Sequence, residues 1–301
     1  MSDNRSQTTG RPTLSLKQSL AQAVFPLERI MANYIPGSRK LTRSVYNLMT
    51  RHPEGWINIH GSPVLINVRD NGIGSKMFLQ GGYASGRISE IRKAVKEGDT
   101  VIDIGANIGY FTVLLANLVG PEGKVYAFEP DPRNFHLLQR TVERNGWSHV
   151  TIEQKAVSNK VGEFLLYQSP SWAGSALTPC DHVSVVKVQV ITLDEFLSDE
   201  HNVSFVKMDM DGSEPLAISG MTQLIQRSPN IRLLAEYEPG NLKRYLSAPL
   251  DFITIAEQHG LKLTAILDTE KGRLPNLDLA TLKHLADNAN LDLLFTASTL
   301  K

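Results

Sequence analysis

The 301-residue chain carries 31 Lys and Arg against 31 Asp and Glu, so no overall field draws it to nucleic acid and a DNA or RNA partner is disfavoured. With 42% apolar and 21% charged residues it can bury a core, and with Cys180 as its one cysteine it has no internal disulfide and no multi-cysteine metal site. No apolar run reaches the roughly 20 residues of a bilayer span, and the polar start MSDNRSQTTGR lacks a signal-peptide core, so a cytoplasmic protein without a membrane span is expected.

The charge is uneven. Arg5, Arg11, Lys17, Arg29, Arg39, Lys40, Arg43 and Arg51 face only Asp3 and Glu28 within Met1–His52, which makes this arm either a contact for something anionic or, more simply, a solvated basic surface. Leu16, Leu20, Val24, Leu27, Ile30 and Tyr34 recur at helical spacing, with Pro26 bending the segment and Pro36-Gly37 ending it. From Trp56 to Phe78 short apolar pieces such as Val64–Val68 alternate with Gly61, Asn71-Gly72 and Gly74, the pattern of a small β-hairpin region. Residues 1–80 are therefore expected to form an N-terminal extension, and residues 81–301 the main domain.

After Gly98-Asp99 the pattern becomes strand, helix, strand, helix. Strands are predicted at Thr100–Ile104, Lys124–Glu129, Val150–Lys155, Val203–Met208, Arg232–Tyr237, Leu261–Leu267 and Leu291–Thr296. The clearest helices are Tyr110–Val119, with Phe111, Leu114, Leu115 and Leu118 on one face, and Pro132–Asn145, closed by Gly146. This alternation predicts an α/β fold whose mostly parallel sheet has helices on both faces. Glu163–Gln168 and Val185–Ile191 read as an inserted hairpin, and the segment from Trp172 to His182 as either a lid or a plain surface loop. Thr192 to Glu195 fits a capping box, which gives Asp194 and Glu195 a structural role.

Val101 to Tyr110 is a buried strand running into a glycine turn, Gly105-Ala106-Asn107-Ile108-Gly109, and then a helix. Such a turn lets a ligand come close to the backbone. A dinucleotide fingerprint needs glycines where Asn107 and Tyr110 stand, and Asp103 would oppose a pyrophosphate. S-adenosylmethionine, a cation without phosphate, suits an acidic turn better. Glu129, twenty residues beyond Gly109 and at the end of the second strand, has the spacing of a ribose clamp. Pro130, Asp131 and Asn134 follow it. Asp131 is either a cofactor contact or the cap of the helix opening at Pro132. Ala156 and Val157 lie where an adenine edge would rest, or form an ordinary strand end.

With these residues in view the chain resembles the FkbM family of methyltransferases. Gly98–Thr112, Tyr126–Phe135, Val190–Asp194 and Phe205–Glu214 carry the likeness, which runs from about Gly81 to Thr296; Asp211 stands where the family pattern has Glu. The resemblance implies a Rossmann-like class I methyltransferase fold with a seven-stranded sheet, and methyl transfer from S-adenosylmethionine to a hydroxyl of a sugar, glycan or secondary metabolite.

Methyl transfer needs an oxygen nucleophile aligned behind the methyl group and relieved of its proton. Ligands of open α/β sheets bind beyond the carboxyl ends of the strands, which selects Asp209 and Glu236 as the catalytic pair, with Asp209 also near the cofactor and Glu238 as an alternative to Glu236. A divalent metal held by the two carboxylates is the less favoured route, because two ligands make a weak site. Lys207 either orients Asp209 or makes a structural ion pair. Tyr83, Tyr110 and Trp172 could offer an aromatic face to a sulfonium, and His136 or His182 a base, although packing or surface roles are the simpler readings of these. The competing functions are a nicotinamide-dependent oxidoreductase and an inactive binding protein of the same fold.

Overall fold

The computed structural model describes residues 54–67, 73, 74, 77, 82–168, 175–179, 184–275, 282 and 291–298. The helix expected between Leu16 and Tyr34, and the loop positions Trp172, Cys180 and His182, lie outside the described residues. Among the described residues no helix is long and apolar enough to cross a membrane.

Strands β1 (Glu54–Ile59) and β2 (Ser62–Asn67) pair antiparallel across the two-residue turn His60-Gly61. Both turn residues have positive φ, 54° and 92°, the combination that matches the right-handed twist of the flanking strands. Helix α1 (Ser85–Ala94) leads into β3 (Thr100–Ile104), α2 (Tyr110–Val119), β4 (Lys124–Phe128), α3 (Pro132–Asn145) and β5 (Val150–Glu153). Both predicted helices have the expected bounds, for local reasons. Gly109 opens α2 with φ 95°, and α3 starts at Pro132 behind the Asp131 cap and stops at left-handed Gly146.

The chain then leaves the main sheet. The predicted strand Val150–Lys155 is two pieces, since β5 stays in the main sheet while Lys155 begins β6 (Lys155–Val157) of a second one. That second sheet has the order β6-β9-β7-β8, with β7 (Gly162–Gln168), β8 (Ser175–Ala176) and β9 (Ser184–Ile191); the predicted hairpin is its antiparallel β7/β9 pair. Helix α4 (Leu193–Phe196) follows, capped by the Thr192 hydroxyl, which accepts the Glu195 N–H at 3.3 Å. The chain returns as β10 (Phe205–Met208), α5 (Glu214–Ser219), β11 (Arg232–Tyr237), β12 (Leu261–Asp268), β13 (Gly272–Arg273) and β14 (Leu291–Ala297).

The main sheet runs β13-β12-β14-β11-β10-β3-β4-β5. Strands β11, β10, β3, β4 and β5 are mutually parallel, and β14 is antiparallel to both its neighbours, so β12 shares the parallel direction. The count exceeds the expected seven by the two-residue edge strand β13. The adjacent pairs Val101 and Ile102, Phe205 and Val206, and Leu233 and Leu234 on the central strands point to opposite faces and are all at most 1% exposed, as a sheet covered on both faces requires.

The β1/β2 hairpin belongs to this domain. The Leu65 N–H donates to Thr141 Oγ1 (3.0 Å), Asn145 donates to the Pro63 carbonyl (2.9 Å) and Asn117 to that of His60 (3.1 Å). Contacts gather the chain from Glu54 onward into one compact unit. Leu65 is 2% exposed. Leu65→Ala should therefore lower the unfolding free energy of the whole domain by about 2–5 kcal/mol in a single cooperative urea transition; a separate early transition of the hairpin would count against its membership.

Candidate functional site

The strand order reverses between β3 and β10: the chain steps outward from β3 to β4 and β5, then returns to β10 and β11 on the other side. Loops at the carboxyl ends of β3 and β10 therefore part and leave a crevice. A cleft of about 800 Å³, open solvent included, lies there.

The glycine turn forms its floor. Gly105 (φ 73°) and Ala106 both donate N–H to the Phe128 carbonyl at 3.0 Å, and the Asp209 N–H donates to the Ile104 carbonyl at 3.1 Å. A Cβ on Gly105 would overlap the Asp209 carbonyl oxygen, and one on Gly109 would stand 2.9 Å from Leu138 Cδ1. The glycines thus make room for the protein's own chain.

Three predicted cofactor contacts do not line the cleft. Asp103 is 0% exposed; its carboxylate accepts the Thr112 hydroxyl (2.7 Å) and lies 3.1 Å from Lys207 Nζ, so its charge is spent inside the protein. Lys207, 2% exposed, also donates to the Gly105 carbonyl at 2.8 Å, and so serves the turn as well as Asp103. Gly109 is taken up in opening α2. Asp131, 0% exposed, caps α3 by accepting the Arg133 N–H (2.9 Å), and also accepts from the Gln168 amide and the Ser175 hydroxyl, both at 2.8 Å. Asp131 therefore joins the second sheet to the cleft.

The remaining predicted contacts, Gly105, Ala106, Asn107, Tyr110, Glu129, Pro130, Asn134, Ala156, Val157 and Asp209, do line it. Glu129, 5% exposed, accepts the Asn107 N–H (2.7 Å) and the Asp131 N–H (2.9 Å) on different oxygens. Each oxygen keeps a lone pair for a further donor. Burial pushes this carboxyl up to about 7, against the downward pull of the Asp131 N–H. Tyr110 stacks on Tyr83 at 4.4 Å; its hydroxyl donates to the Tyr83 carbonyl and accepts the Tyr83 N–H. Leu166 and Ser175 of the second sheet and Leu177 just after it also line the cleft, a role the sequence pattern alone did not reveal.

At the other end Asp209 lines the cleft with its side chain 30% exposed. Arg87 Nη1 lies 2.7 Å from it. Burial would raise the Asp209 carboxyl, but Lys207 and Arg87 outweigh burial and hold it below the ordinary range. Glu236, the other predicted catalytic group, is not among the residues lining the cleft and lies 3.6 Å from Arg87 Nη2. Burial and the Asp209 charge push it well above the carboxylate range. Arg87 itself was missed by the sequence reading, since an arginine in a helix ahead of the glycine turn carries no local mark. Asp211, left-handed at φ 54°, is raised to about 7 by burial and then by Asp209, and buried Glu214 to about 8 by burial. Glu238 is exposed and bonded to Asn241. His136 is 54% exposed and 3.8 Å from Glu54, away from the cleft. Among the described residues no group of three or more His, Cys, Asp or Glu side chains is arranged to hold a metal ion.

Residues 103–262, just over half of the chain, match the Methyltransferase FkbM domain. The chain is 41% identical over 68 residues to the 31-O-demethyl-FK506 methyltransferase FkbM of Streptomyces tacrolimicus, covering 23% of this chain and 25% of that protein. It is 40% identical over 58 residues to a protein-L-isoaspartate O-methyltransferase of Methanococcoides burtonii, covering 19% and 29%. The chain thus spans less than a third of the length of these two relatives. A solved structure from Pyrococcus horikoshii, named as a transferase, aligns with 90% of this chain and 86% of its own at 12% identity and a TM-score of 0.50, a likeness of fold alone.

The raised carboxyls give the domain a pH dependence of definite sign. Glu214 is 1% exposed, and its folded-state value of about 8 exceeds the ordinary 4.5, so its contribution is whole below about pH 4.5 and is lost as pH rises through 8. Thermal unfolding should show wild-type stability falling across that window. Glu214→Gln should flatten the fall by an amount on the order of a few kcal/mol. An unchanged slope would refute burial of an uncharged carboxyl at this position.

Proposed function

We propose, from the premise that the chain belongs to the FkbM methyltransferase family, that it is an S-adenosylmethionine-dependent enzyme which methylates a hydroxyl of a small molecule, sugar or glycan, with Asp209 as the base. The observation that supports this most is a half-buried, ionised carboxylate at the cleft end of β10, beside a glycine turn that Glu129 buttresses from the next strand.

The residues present fit the cofactor. Glu129 has lone pairs left for the two ribose hydroxyls, Ala156, Val157, Leu166 and Leu177 offer apolar surface for an adenine ring, and Asp209 offers charge to a cation. When bound, S-adenosylmethionine supplies an electrophilic methyl group on a sulfonium. The protein's share is to orient the acceptor and to move one proton. Asp209, held in its charged form, accepts the hydroxyl proton as the oxygen attacks, and Tyr83 and Phe111 wall this end of the cleft against water. Because Arg87 already engages Asp209 and Glu236, the route without a metal is the one we favour.

Glu129→Ala should weaken S-adenosylmethionine binding by about 1–3 kcal/mol in calorimetry, the scale of losing hydrogen bonds to a charged group; unchanged affinity in a folded variant would remove the ribose assignment. In a screen of sugars and hydroxylated metabolites with labelled methyl donor, Asp209→Asn should cut turnover by roughly two to four orders of magnitude. Chelation of the wild type should leave its turnover intact. Full activity of the Asn variant would refute the base, and activity lost to EDTA and restored by magnesium would refute the metal-free route.

A further inference from the structure

Arg87 lies on α1, outside residues 103–262, and is 2% exposed. Its guanidinium meets carboxyls from three strands. Nη1 bonds Asp209 beyond β10 at 2.7 Å, and Nη2 lies 3.6 Å from Glu236 on β11. Nε and Nη2 hold both oxygens of Asp292 on β14, Nε at 3.1 Å from Oδ2. Asp292, 0% exposed, also accepts the Thr269 hydroxyl at 3.1 Å. Glu236 and Asp292 are direct cross-strand partners, a placement that is unfavourable for two like charges.

Three carboxylates crowded around one buried cation would leave two negative charges side by side, a repulsion relieved by keeping a proton on one of them. The grip of Arg87 is uneven. Asp292 is held by two nitrogens and Asp209 by one at close range with Lys207 nearby, whereas Glu236 is held only at 3.6 Å. Resting on the reading of Asp209 as the base, we propose that Arg87 is a positioning residue for the reaction: it lodges the cluster's single proton on Glu236 and keeps Asp209 as the charged oxygen facing the cleft. The surrounding groups act in the same sense. Glu236 faces Asp209, Glu214 and Asp211, which oppose its ionisation, while Asp209 faces Lys207 and a hydrogen bond from Glu236. Asp292 is raised by burial and by Asp209, and Arg87 and the Thr269 hydroxyl pull against that rise.

The test is a ¹³C NMR titration of the full chain labelled at Asp and Glu carboxyls, with Asp209→Asn and Glu236→Gln identifying the two signals. At pH 7 the wild type should show Asp209 ionised and Glu236 protonated. Arg87→Gln should raise the Asp209 midpoint by about 1–3 pH units, the effect of losing an adjacent cation, and Arg87→Lys should restore most of it. If Arg87→Gln does not fold, Asp292→Asn gives a second reading, since removing the carboxylate opposite Glu236 should lower the Glu236 midpoint. An Asp209 midpoint that stays put in Arg87→Gln, a Glu236 midpoint that does not fall in Asp292→Asn, or the reverse charge pattern in the wild type would overturn the proposal. The underlying reading fails separately: calorimetry showing no S-adenosylmethionine binding to the wild type would end it with the titrations still interpretable.

Discussion

Lys207 and Asp103 are register partners on neighbouring strands, 3% and 0% exposed at the side chain, and their charges meet at 3.1 Å in the middle of the sheet. A buried pair of this kind is costly to break, because removing either member strands a charge in a medium that solvates it poorly. The remaining bonds of the pair extend its reach. Lys207 donates to the Gly105 carbonyl and Asp103 accepts from Thr112 on α2, so one contact fixes the ends of β3 and β10, the glycine turn and the helix after it. Asp209 emerges from this point two residues after Lys207, and its carbonyl passes so close to Gly105 that no side chain fits there. The position of the proposed base is in this sense a consequence of strand packing.

Two acidic residues carry the structure outward from that centre. Glu129 ties the Asn107 N–H to the Asp131 N–H, locking the turn after β3 to the segment after β4. Asp131 then caps α3 and takes bonds from Gln168 and Ser175, which brings the second sheet over the cleft. Shared acceptors of this kind make the loops cooperative: a shift in one alters the geometry offered to the next. Rigid support of a cleft is what a reaction governed by alignment requires.

The chain is electrically balanced as a whole, yet the region around Asp209 is rich in carboxyls. Burial resolves the conflict by separating their titrations. Glu129 and Asp211 are lifted to about 7 and Glu214 to about 8, while the cations Lys207 and Arg87 act on Asp209. A set of similar side chains thereby comes to differ in proton affinity through environment alone.

The sequence by itself determined what depends on neighbours in the chain. Apolar periodicity and capping residues set the bounds of α2 and α3, and strand and helix alternation set the parallel sheet. Glycine spacing with a carboxylate at the next strand end located the cleft and part of its lining, because a βαβ unit delivers those two strand ends side by side whatever surrounds them. The tertiary structure alone decided which polar groups face each other. Arg87 and Asp292 are 205 residues apart, and nothing local marks them as partners of each other or Arg87 as the partner of Asp209. Asp103, acidic and next to the turn, looks from its position like a ligand contact, and only the arrival of Lys207 on the adjoining strand turns it inward. The break between β5 and β6, and the part played by Leu166, Ser175 and Leu177, likewise follow from a second sheet closing over the first. Periodicity is written along one segment; the choice of a buried charge's partner is made only when distant segments exclude water together.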